Sequence, residues 1–317
     1  MGEGKSGDCT VVVCTRDRPE ELERCLAALA KLDFPSYRIL VVDNAPKDDR
    51  TREIAARHAV SHLHEPVAGL SRARNRGARI SETEIVAYID DDAIPEPGWL
   101  SGLVAEFEDP SVMAVTGRIR PTALDTEAQR LFERLGGFGS HEVRRVVDRT
   151  TPAWFEIASF GGVGSGANMA VRRRAFDVWP GFDERLGVGT RLPGYEEHYA
   201  FFSLVDRGYR VVYTPRAVVR HPYPRRLTDL HARRFDAAVA SSGYMTLLFV
   251  EEPRYRRAIL KYAFEWLKRK PRTWRNLVNG GPPQIIARWR MPRAWLTGAL
   301  TYFRTRLSSG SAAPPPR

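Results

Sequence analysis

Residues 85–92 are IVAYIDDD, an apolar run that leads directly into Asp90, Asp91 and Asp92. A short apolar run of this kind is typical of a strand buried on both faces of a sheet. Three adjacent carboxylates repel one another, so keeping all three ionised is costly unless a cation compensates them. The pattern predicts a buried strand ending in an acidic turn, which either holds a metal ion or is a solvated turn capping the next helix.

The segments on either side of this strand alternate between strand and helix patterns. Residues 9–14 (CTVVVC) and 38–42 (RILVV) have the pattern of buried strands, whereas residues 20–32 and 69–80 have helical spacing. Such alternation predicts an α/β fold with a mostly parallel, Rossmann-like sheet flanked by helices.

The middle of the chain is less regular. A glycine-rich stretch, residues 161–166, leads into another strand pattern at 167–171, and residues 124–147 carry no clear pattern. Residues 209–219 have strand character, which we expect Pro215 to interrupt because proline cannot donate to a ladder of hydrogen bonds.

Polar side chains stand at the ends of the predicted strands. Thr15 and Asp43 follow the first two strands, as the acidic turn follows the strand at 85–89. Ligands of open α/β sheets bind beyond the carboxyl ends of the strands. Carboxylate oxygens suit Mg²⁺ or Mn²⁺, and Asp90 and Asp92, as alternate residues of an extended turn, are the candidates to face one such ion.

The charge of the chain is concentrated at one end. The formal net charge is +11, yet residues 251–317 contain 15 Lys and Arg against 3 Asp and Glu, so the first 250 residues are close to neutral. We therefore predict two regions: a catalytic domain over residues 1–225 and a basic, aromatic-rich helical extension over residues 226–317 that ends in a disordered tail.

Cysteine usage and hydropathy favour a soluble cytoplasmic protein. The three cysteines Cys9, Cys14 and Cys25 are odd in number and contain no CxxC pair, which argues against a disulfide framework and a zinc site. The first eight residues are polar and glycine-rich, unlike a signal peptide, and no apolar run reaches the length of a membrane span.

Several segments together resemble glycosyltransferase family 2, whose members have the GT-A fold. The resemblance covers roughly residues 9–224, and its order and spacing are specific although each segment alone is weak. The segments are VVVCTRDRPEELERCL, VVDN, GLSRARNRGA, IVAYIDDDAIPEPGWL, GVGSGANMAVRRRAF, GFDERLGVGT and VVYTPRAVVRH.

This resemblance implies an inverting, metal-assisted transfer from a nucleoside-diphosphate sugar. Asp43 matches the acidic residue that hydrogen-bonds the base, and Asp90 and Asp92 match the DxD metal motif. His221 matches a histidine that reaches the metal or the diphosphate, a position where a purely structural histidine is equally expected. The nucleotide-sugar contacts that the resemblance implies are Thr15, Arg18, Asp43, Arg74, Asp91, Gly166 and Asn168.

A single displacement also requires a carboxylate that removes the acceptor's proton. Many family members carry Gly-Glu-Asp where this chain has Gly194, Tyr195, Glu196 and Glu197, which aligns Glu197 with the usual aspartate. Glutamate is one methylene longer, so Glu196 is a rival, and an acidic pair that merely suits the helix dipole is a third possibility.

The sequence indicates less about the donor, the acceptor and the partners than about the site residues. We expect UDP as the nucleotide, with dTDP and GDP as alternatives, and an acceptor that is a natural product, a glycan or a lipid-linked intermediate. A sugar-phosphate nucleotidyltransferase is disfavoured because the loop after the first strand, residues 15–19, lacks glycine. A non-catalytic binding protein with a decayed site is disfavoured by the retained carboxylates.

The basic extension admits several interpretations. Its arginines and lysines alternate with tryptophans, among them Trp266, Trp274, Trp289 and Trp295. A helical extension packed on the catalytic domain is the plainest interpretation. Peripheral contact with an anionic membrane is the main alternative. No nucleic-acid-binding motif is present, and we expect no nucleic-acid partner.

Overall fold

The computed structural model describes residues 9–139, 141–265 and 290–308. Within these ranges it confirms the predicted α/β class: helices lie against a large, mostly parallel sheet. The tryptophans Trp266, Trp274 and Trp289 and the predicted disordered tail after Ser308 lie outside the described residues.

Nine strands form the sheet that the described residues contain. They are β1 (Cys9–Thr15), β2 (Tyr37–Asn44), β3 (Ser61–Glu65), β4 (Ile85–Asp90), β5 (Ile94–Pro95), β6 (Val112–Pro121), β7 (Arg145–Val147), β8 (Asn168–Arg172) and β9 (Arg210–His221).

The helices lie mainly between the strands and after the last one. They are α1 (Pro19–Leu29), α2 (Arg50–Arg57), α3 (Leu70–Ile80), α4 (Trp99–Val104), α5 (Glu127–Arg134), α6 (Trp154–Ser159), α7 (Ala175–Val178), α8 (Glu196–Asp206), α9 (Leu227–Glu251), α10 (described over residues 256–265) and α11 (Arg290–Ser308). Two short 3₁₀ helices follow α4 and α9.

The sheet order is β3-β2-β1-β4-β8-β6-β9-β5, and β7 pairs with β9. Strands β1 to β4 are parallel to one another, as are β6 and β9, whereas β8 runs antiparallel to both of its neighbours. The carboxyl ends of β1, β2 and β4 therefore meet at one edge of the sheet, where the polar strand-end residues were predicted to gather.

Both faces of the sheet are buried, which explains the continuous apolar runs. Val11 and Val13 belong to one apolar cluster with Trp99, while Val12 belongs to the other with Tyr88. Successive residues of a strand point to opposite faces, so only a strand covered by helices on both sides is apolar at every position.

Pro215 interrupts the pairing of the last strand, as expected, without ending the strand. Strand β9 continues to His221, and its pairing with β6 shifts between Thr214, opposite Gly117, and Val218, opposite Arg118. The intervening residues form a bulge that accommodates a proline within a paired strand. The continuation matters because it carries His221 to the edge of the sheet where the acidic turn lies.

The C-terminal helices pack on the domain that precedes them. Helices α9 and α11 cross at Gly243 and Gly298. A Cβ on Gly298 would overlap the backbone of α9, and one on Gly243 would lie only 3.1 Å from the carbonyl oxygen of Gly298. Arg185 forms a bidentate pair with Glu251 of α9, at 2.7 and 2.8 Å, and Tyr302 of α11 donates to the same carboxylate. In the described part of the chain, no helix is long and apolar enough to span a bilayer.

Candidate active site

The polar residues at the carboxyl ends of the parallel strands β1, β2 and β4 lie next to one another. In the register of the sheet, Thr15 lies opposite Asp43, and Cys14 lies opposite Asp90. This follows directly from three buried strands of similar length ending at the same edge.

The acidic turn meets the end of β9 here. Nε2 of His221 lies 3.1 Å from Oδ1 of Asp92 and 3.5 Å from Oδ2 of Asp90. One donor atom from each of the three side chains lies within 4.8 Å of the others. Two residues that are two positions apart and one that is about 130 positions away in the chain thus form a compact cluster of oxygen and imidazole donors.

The tautomer of His221 suits metal ligation. Nδ1 lies 3.0 Å from the carbonyl oxygen of Pro222, which can only accept, so Nδ1 carries the proton. Nε2 then faces the two carboxylates. Burial disfavours the protonated imidazole, but Asp90 and Asp92 outweigh burial and raise the pKa of His221. Either a proton or a metal ion at Nε2 satisfies this arrangement.

The residues of this cluster fit a divalent cation. Oδ1 of Asp92 is buried yet accepts no hydrogen bond of good geometry among the described residues. Burial disfavours the Asp90 carboxylate, but His221 and Arg74 outweigh it and lower the pKa of Asp90, so this side chain is ionised at neutral pH. Carboxylate oxygens with one imidazole are a donor set that Mn²⁺ or Mg²⁺ can use.

Asp91 points away from this cluster, into the first loop. It accepts hydrogen bonds of 2.7 Å from Thr15 and from Arg18, which also bonds Asp92 at 2.7 Å. Burial raises the pKa of Asp91 to about 7 against the opposing charge of Arg18. Asp91 therefore positions Thr15 and Arg18. It would act on a bound nucleotide only through these two residues.

Asp43 is buried at the end of β2. Its Oδ2 lies 3.2 Å from Nε2 of His62, whereas its Oδ1 is buried without a hydrogen-bond partner among the described residues. Burial raises the pKa of Asp43, with His62 opposing. An acceptor oxygen held in this way can receive an N–H of a ligand.

Arg74 is buried beneath the site and joins three segments. Its guanidinium bonds Glu196 at 2.7 Å and the carbonyl of Gly166 at 3.0 Å, and it lies 3.7 Å from Asp90. The close approach explains the glycine, because a Cβ at position 166 would lie 3.0 Å from the guanidinium. Arg74 was predicted to lie near the base and phosphates; the structure places it under the acidic groups.

The two glutamates at the start of α8 are in different environments. Burial, and then the charge of Glu197, raise the pKa of Glu196 despite the ion pair with Arg74. Burial also opposes the Glu197 carboxylate, but His198 and Arg74 outweigh it and lower its pKa. Glu197 is therefore the member of the pair that is ionised and able to accept a proton.

Backbone geometry and a histidine hold Glu197. Its Oε1 accepts from the backbone N–H of Gly166 at 3.2 Å, and its Oε2 lies 3.5 Å from Nδ1 of His198. The preceding residue, Tyr195, has a left-handed φ of 68° and stacks on Tyr244 of α9. Holding a tyrosine in this region is unfavourable unless the surroundings fix it, so the start of α8 is a constrained turn.

Asn168 was predicted to contact the donor, but its side-chain amide forms hydrogen bonds within the protein. The amide accepts from the indole of Trp99 at 2.7 Å and donates to the carbonyls of Arg118 and Ala217, each at 2.9 Å. The side chain is fully buried and braces β8 against β9. Trp99 is itself fully buried.

Further residues at the site were not predicted from the sequence. Phe138 packs on His221 with a ring distance of 4.6 Å, and Arg233 of α9 lies over the Phe138 ring at 4.9 Å and the Phe132 ring at 5.3 Å. His62 beside Asp43 was also missed. A lone aromatic, a lone arginine and a lone histidine carry no spacing signal, so only the fold reveals them.

The family model for "Glycosyl transferase family 2" matches residues 10–179, more than half of the 317 residues. A pre-mycofactocin glycosyltransferase from Mycobacterium tuberculosis is 30% identical over 230 residues, which are 72% of this chain and 45% of that protein. A glucosyl-dolichyl phosphate glucuronosyltransferase from Haloferax volcanii is 28% identical over 231 residues, or 67% of this chain and 68% of that protein. The chain thus spans less than half the length of the first of these relatives.

Solved structures show the same fold. A mannosyltransferase from Pyrobaculum calidifontis, in complex with GDP-Man and Mn²⁺, has a TM-score of 0.60 at 20% identity and covers 96% of this chain and 76% of its own. The family match over residues 10–179 establishes that the chain belongs to glycosyltransferase family 2, and the structural likeness shows that it has the GT-A fold.

Proposed function

We propose that this glycosyltransferase moves a sugar from a UDP-sugar to an acceptor nucleophile with inversion, assisted by Mg²⁺ or Mn²⁺. The observation that carries the proposal is the convergence of Asp90, Asp92 and His221 within 4.8 Å at the strand ends that also hold Asp43. This arrangement provides a cation site beside an acceptor oxygen suited to a base.

Asp90, Asp92 and His221 would hold the cation. When bound there, a divalent ion supplies Lewis-acid stabilisation of the charge that develops on the departing diphosphate. The protein prepares the site in advance: Pro222 fixes the imidazole tautomer, and Arg18 fixes Asp92 from the side opposite His221.

Asp43 supports the assignment of the nucleotide. Its unpartnered Oδ1 can accept the imide N–H of uracil, which leaves the hydrogen bond to His62 on Oδ2 undisturbed. Thymine has the same imide, and guanine also offers an N–H, so dTDP- and GDP-sugars are the alternatives to be compared with UDP-sugars.

Glu197 supports the inverting mechanism. Its ionised carboxylate would take the proton of the acceptor hydroxyl while that oxygen attacks the anomeric carbon and the bond to the diphosphate oxygen breaks. The Gly166 amide donates to one oxygen of this carboxylate, and Nδ1 of His198 lies 3.5 Å from the other. Glu196 is occupied by Arg74, which favours Glu197 as the base.

Arg233 supports a diphosphate position next to the cation site. Among the described residues it forms no salt bridge, it remains exposed, and its guanidinium is fixed on Phe138, which itself packs on His221. Surrounding protein atoms desolvate the guanidinium and lower the pKa of Arg233, while Asp90 and Asp92 act in the opposite direction. A phosphate oxygen is the partner that this cation lacks.

The acceptor supplies the nucleophile, and we infer that it is a small molecule, a glycan or a lipid-linked compound. Peripheral membrane contact by the C-terminal extension is a separate proposal, for which helix α11 provides the surface.

Removing one carboxylate of the cluster tests the cation site. We expect Asp92→Asn to weaken Mn²⁺-dependent UDP binding by about tenfold or more, because the amide is a poorer ligand and carries no charge. Isothermal titration with UDP, with and without Mn²⁺, measures the effect. Asp48→Asn, which alters an exposed carboxylate, is the matched control. Unchanged Mn²⁺ dependence in Asp92→Asn would show that the cluster does not hold the ion.

Neutralising Glu197 tests the base. We expect Glu197→Gln to lower kcat by about 10²–10⁴-fold while UDP binding stays near the wild-type value, because the amide cannot take a proton. Glu197→Asp, which has the side chain usual in the family, should retain more activity than Glu197→Gln. The assay is release of UDP from the best donor found in a screen of UDP-, dTDP- and GDP-sugars. Full activity of Glu197→Gln would assign the base elsewhere, with Glu196 the next candidate.

Arg233→Gln tests the diphosphate position. We expect it to weaken UDP binding about tenfold while UMP binding changes little, because the proposed partner of this charge is the β-phosphate, which UMP lacks. Arg256→Gln is the control, since Arg256 also stacks on a phenylalanine, at 5.4 Å. An equal loss for UDP and UMP, or no loss for either, would contradict this role.

A further inference from the structure

Helix α11 has two faces of different character. Ala294, Gly298 and Tyr302 lie four residues apart and are buried against α9. On the other side, large apolar residues are exposed at Leu296, Leu300, Phe303 and Leu307, by 62, 45, 46 and 82% respectively. These four residues are called the apolar stripe.

The apolar stripe points away from the protein. Leu296 and Leu300 follow buried Ala294 and Gly298 by two residues, which is roughly 200° around a helix of 3.6 residues per turn. The stripe is therefore nearly opposite the face held by α9. Burying four such side chains elsewhere would be favourable, so leaving them in water requires an explanation.

Arginines border the stripe. Arg293 and Arg304 are exposed on the outward half of the helix, whereas exposed Arg306 lies nearer the buried face and donates to the hydroxyl of Tyr302. Residues 290–308 contain no Asp or Glu, and Glu265 is the last acidic residue of the chain. An apolar face bordered by basic residues is typical of helices that lie in the interface of an anionic bilayer.

A second copy of the chain fits this face less well. A symmetric contact along the stripe would bring the arginines of the two helices together, with no acidic residue on α11 to compensate them. Anionic headgroups provide the missing negative charge, and acyl chains cover the apolar residues. From Leu296 to Leu307 the helix rises about 16 Å, too short to cross a hydrocarbon core of about 30 Å, so it would lie parallel to the surface.

We propose that helix α11 binds the surface of an anionic lipid bilayer, with the apolar stripe inserted at the headgroup boundary and the bordering arginines on the phosphates. Helix α9 separates α11 from the active-site loop, because Gly243 of α9 touches both Gly298 and Leu192, which precedes the α8 glutamates. Membrane binding therefore leaves the cation site and the two glutamates on the far side of α9.

Vesicle co-sedimentation of the 317-residue chain tests the proposal. The probes are phosphatidylcholine vesicles with and without about 30% phosphatidylglycerol. We expect the wild-type chain to sediment with the anionic vesicles and to be released by high salt. Leu300→Gln with Phe303→Gln should reduce vesicle binding at least tenfold, and Arg293→Gln with Arg304→Gln should remove the preference for phosphatidylglycerol.

Val143→Gln, which removes another exposed apolar side chain (74% exposed), is the matched control and should bind vesicles as the wild type does. Equal thermal midpoints and equal UDP binding show that the stripe variants remain folded. The proposal is overturned if the wild type stays in the supernatant or if the stripe variants sediment equally well. It is also overturned if ultracentrifugation without lipid shows a dimer that the stripe variants abolish, because the stripe would then be a contact between copies.

Discussion

The buried guanidinium of Arg74 is the charge on which the site depends. It reaches Glu196 of α8, the backbone of Gly166 and Asp90 at the end of β4, three segments far apart in the sequence. A buried carboxylate without a partner costs several kcal/mol, so each segment is held where the arginine can compensate it. One cation thereby sets the distance between the acidic turn and the glutamates of α8.

The arginines do not compensate all of the acidic groups, and the uncompensated carboxylates are what suits the site to a cation. Five acidic side chains, Asp90, Asp91, Asp92, Glu196 and Glu197, meet two arginines that form ion pairs with them, Arg18 and Arg74. The carboxyl groups outnumber these guanidinium groups by three, and burial among them raises the pKa of Asp91 and of Glu196. A divalent cation would compensate part of this excess, and Arg233 lies where it could meet the further negative charge of a diphosphate.

The sequence predicted the parts of the site that depend on strand ends. The buried strands are apolar at nearly every position, and polar residues stand at their ends, among them Thr15, Asp43 and Asp90. The parallel strand ends determine where those side chains meet. The environments of Arg74 and Asn168 were not predictable, because burial and hydrogen-bond partners depend on tertiary contacts. Helix α5 was missed although Thr126 and Gln129 form a capping box, a local signal present in the sequence. The exposed stripe of α11 also required the structure, since periodicity alone does not say which face of a helix is covered.

The cation site is tested most directly by anomalous scattering at the manganese edge from a crystal grown with UDP and Mn²⁺. The account predicts a single strong peak about 2–2.5 Å from carboxylate oxygens of Asp90 and Asp92 or from Nε2 of His221, and in contact with the diphosphate. A nucleotide bound at the strand ends with no peak among these three side chains would contradict it.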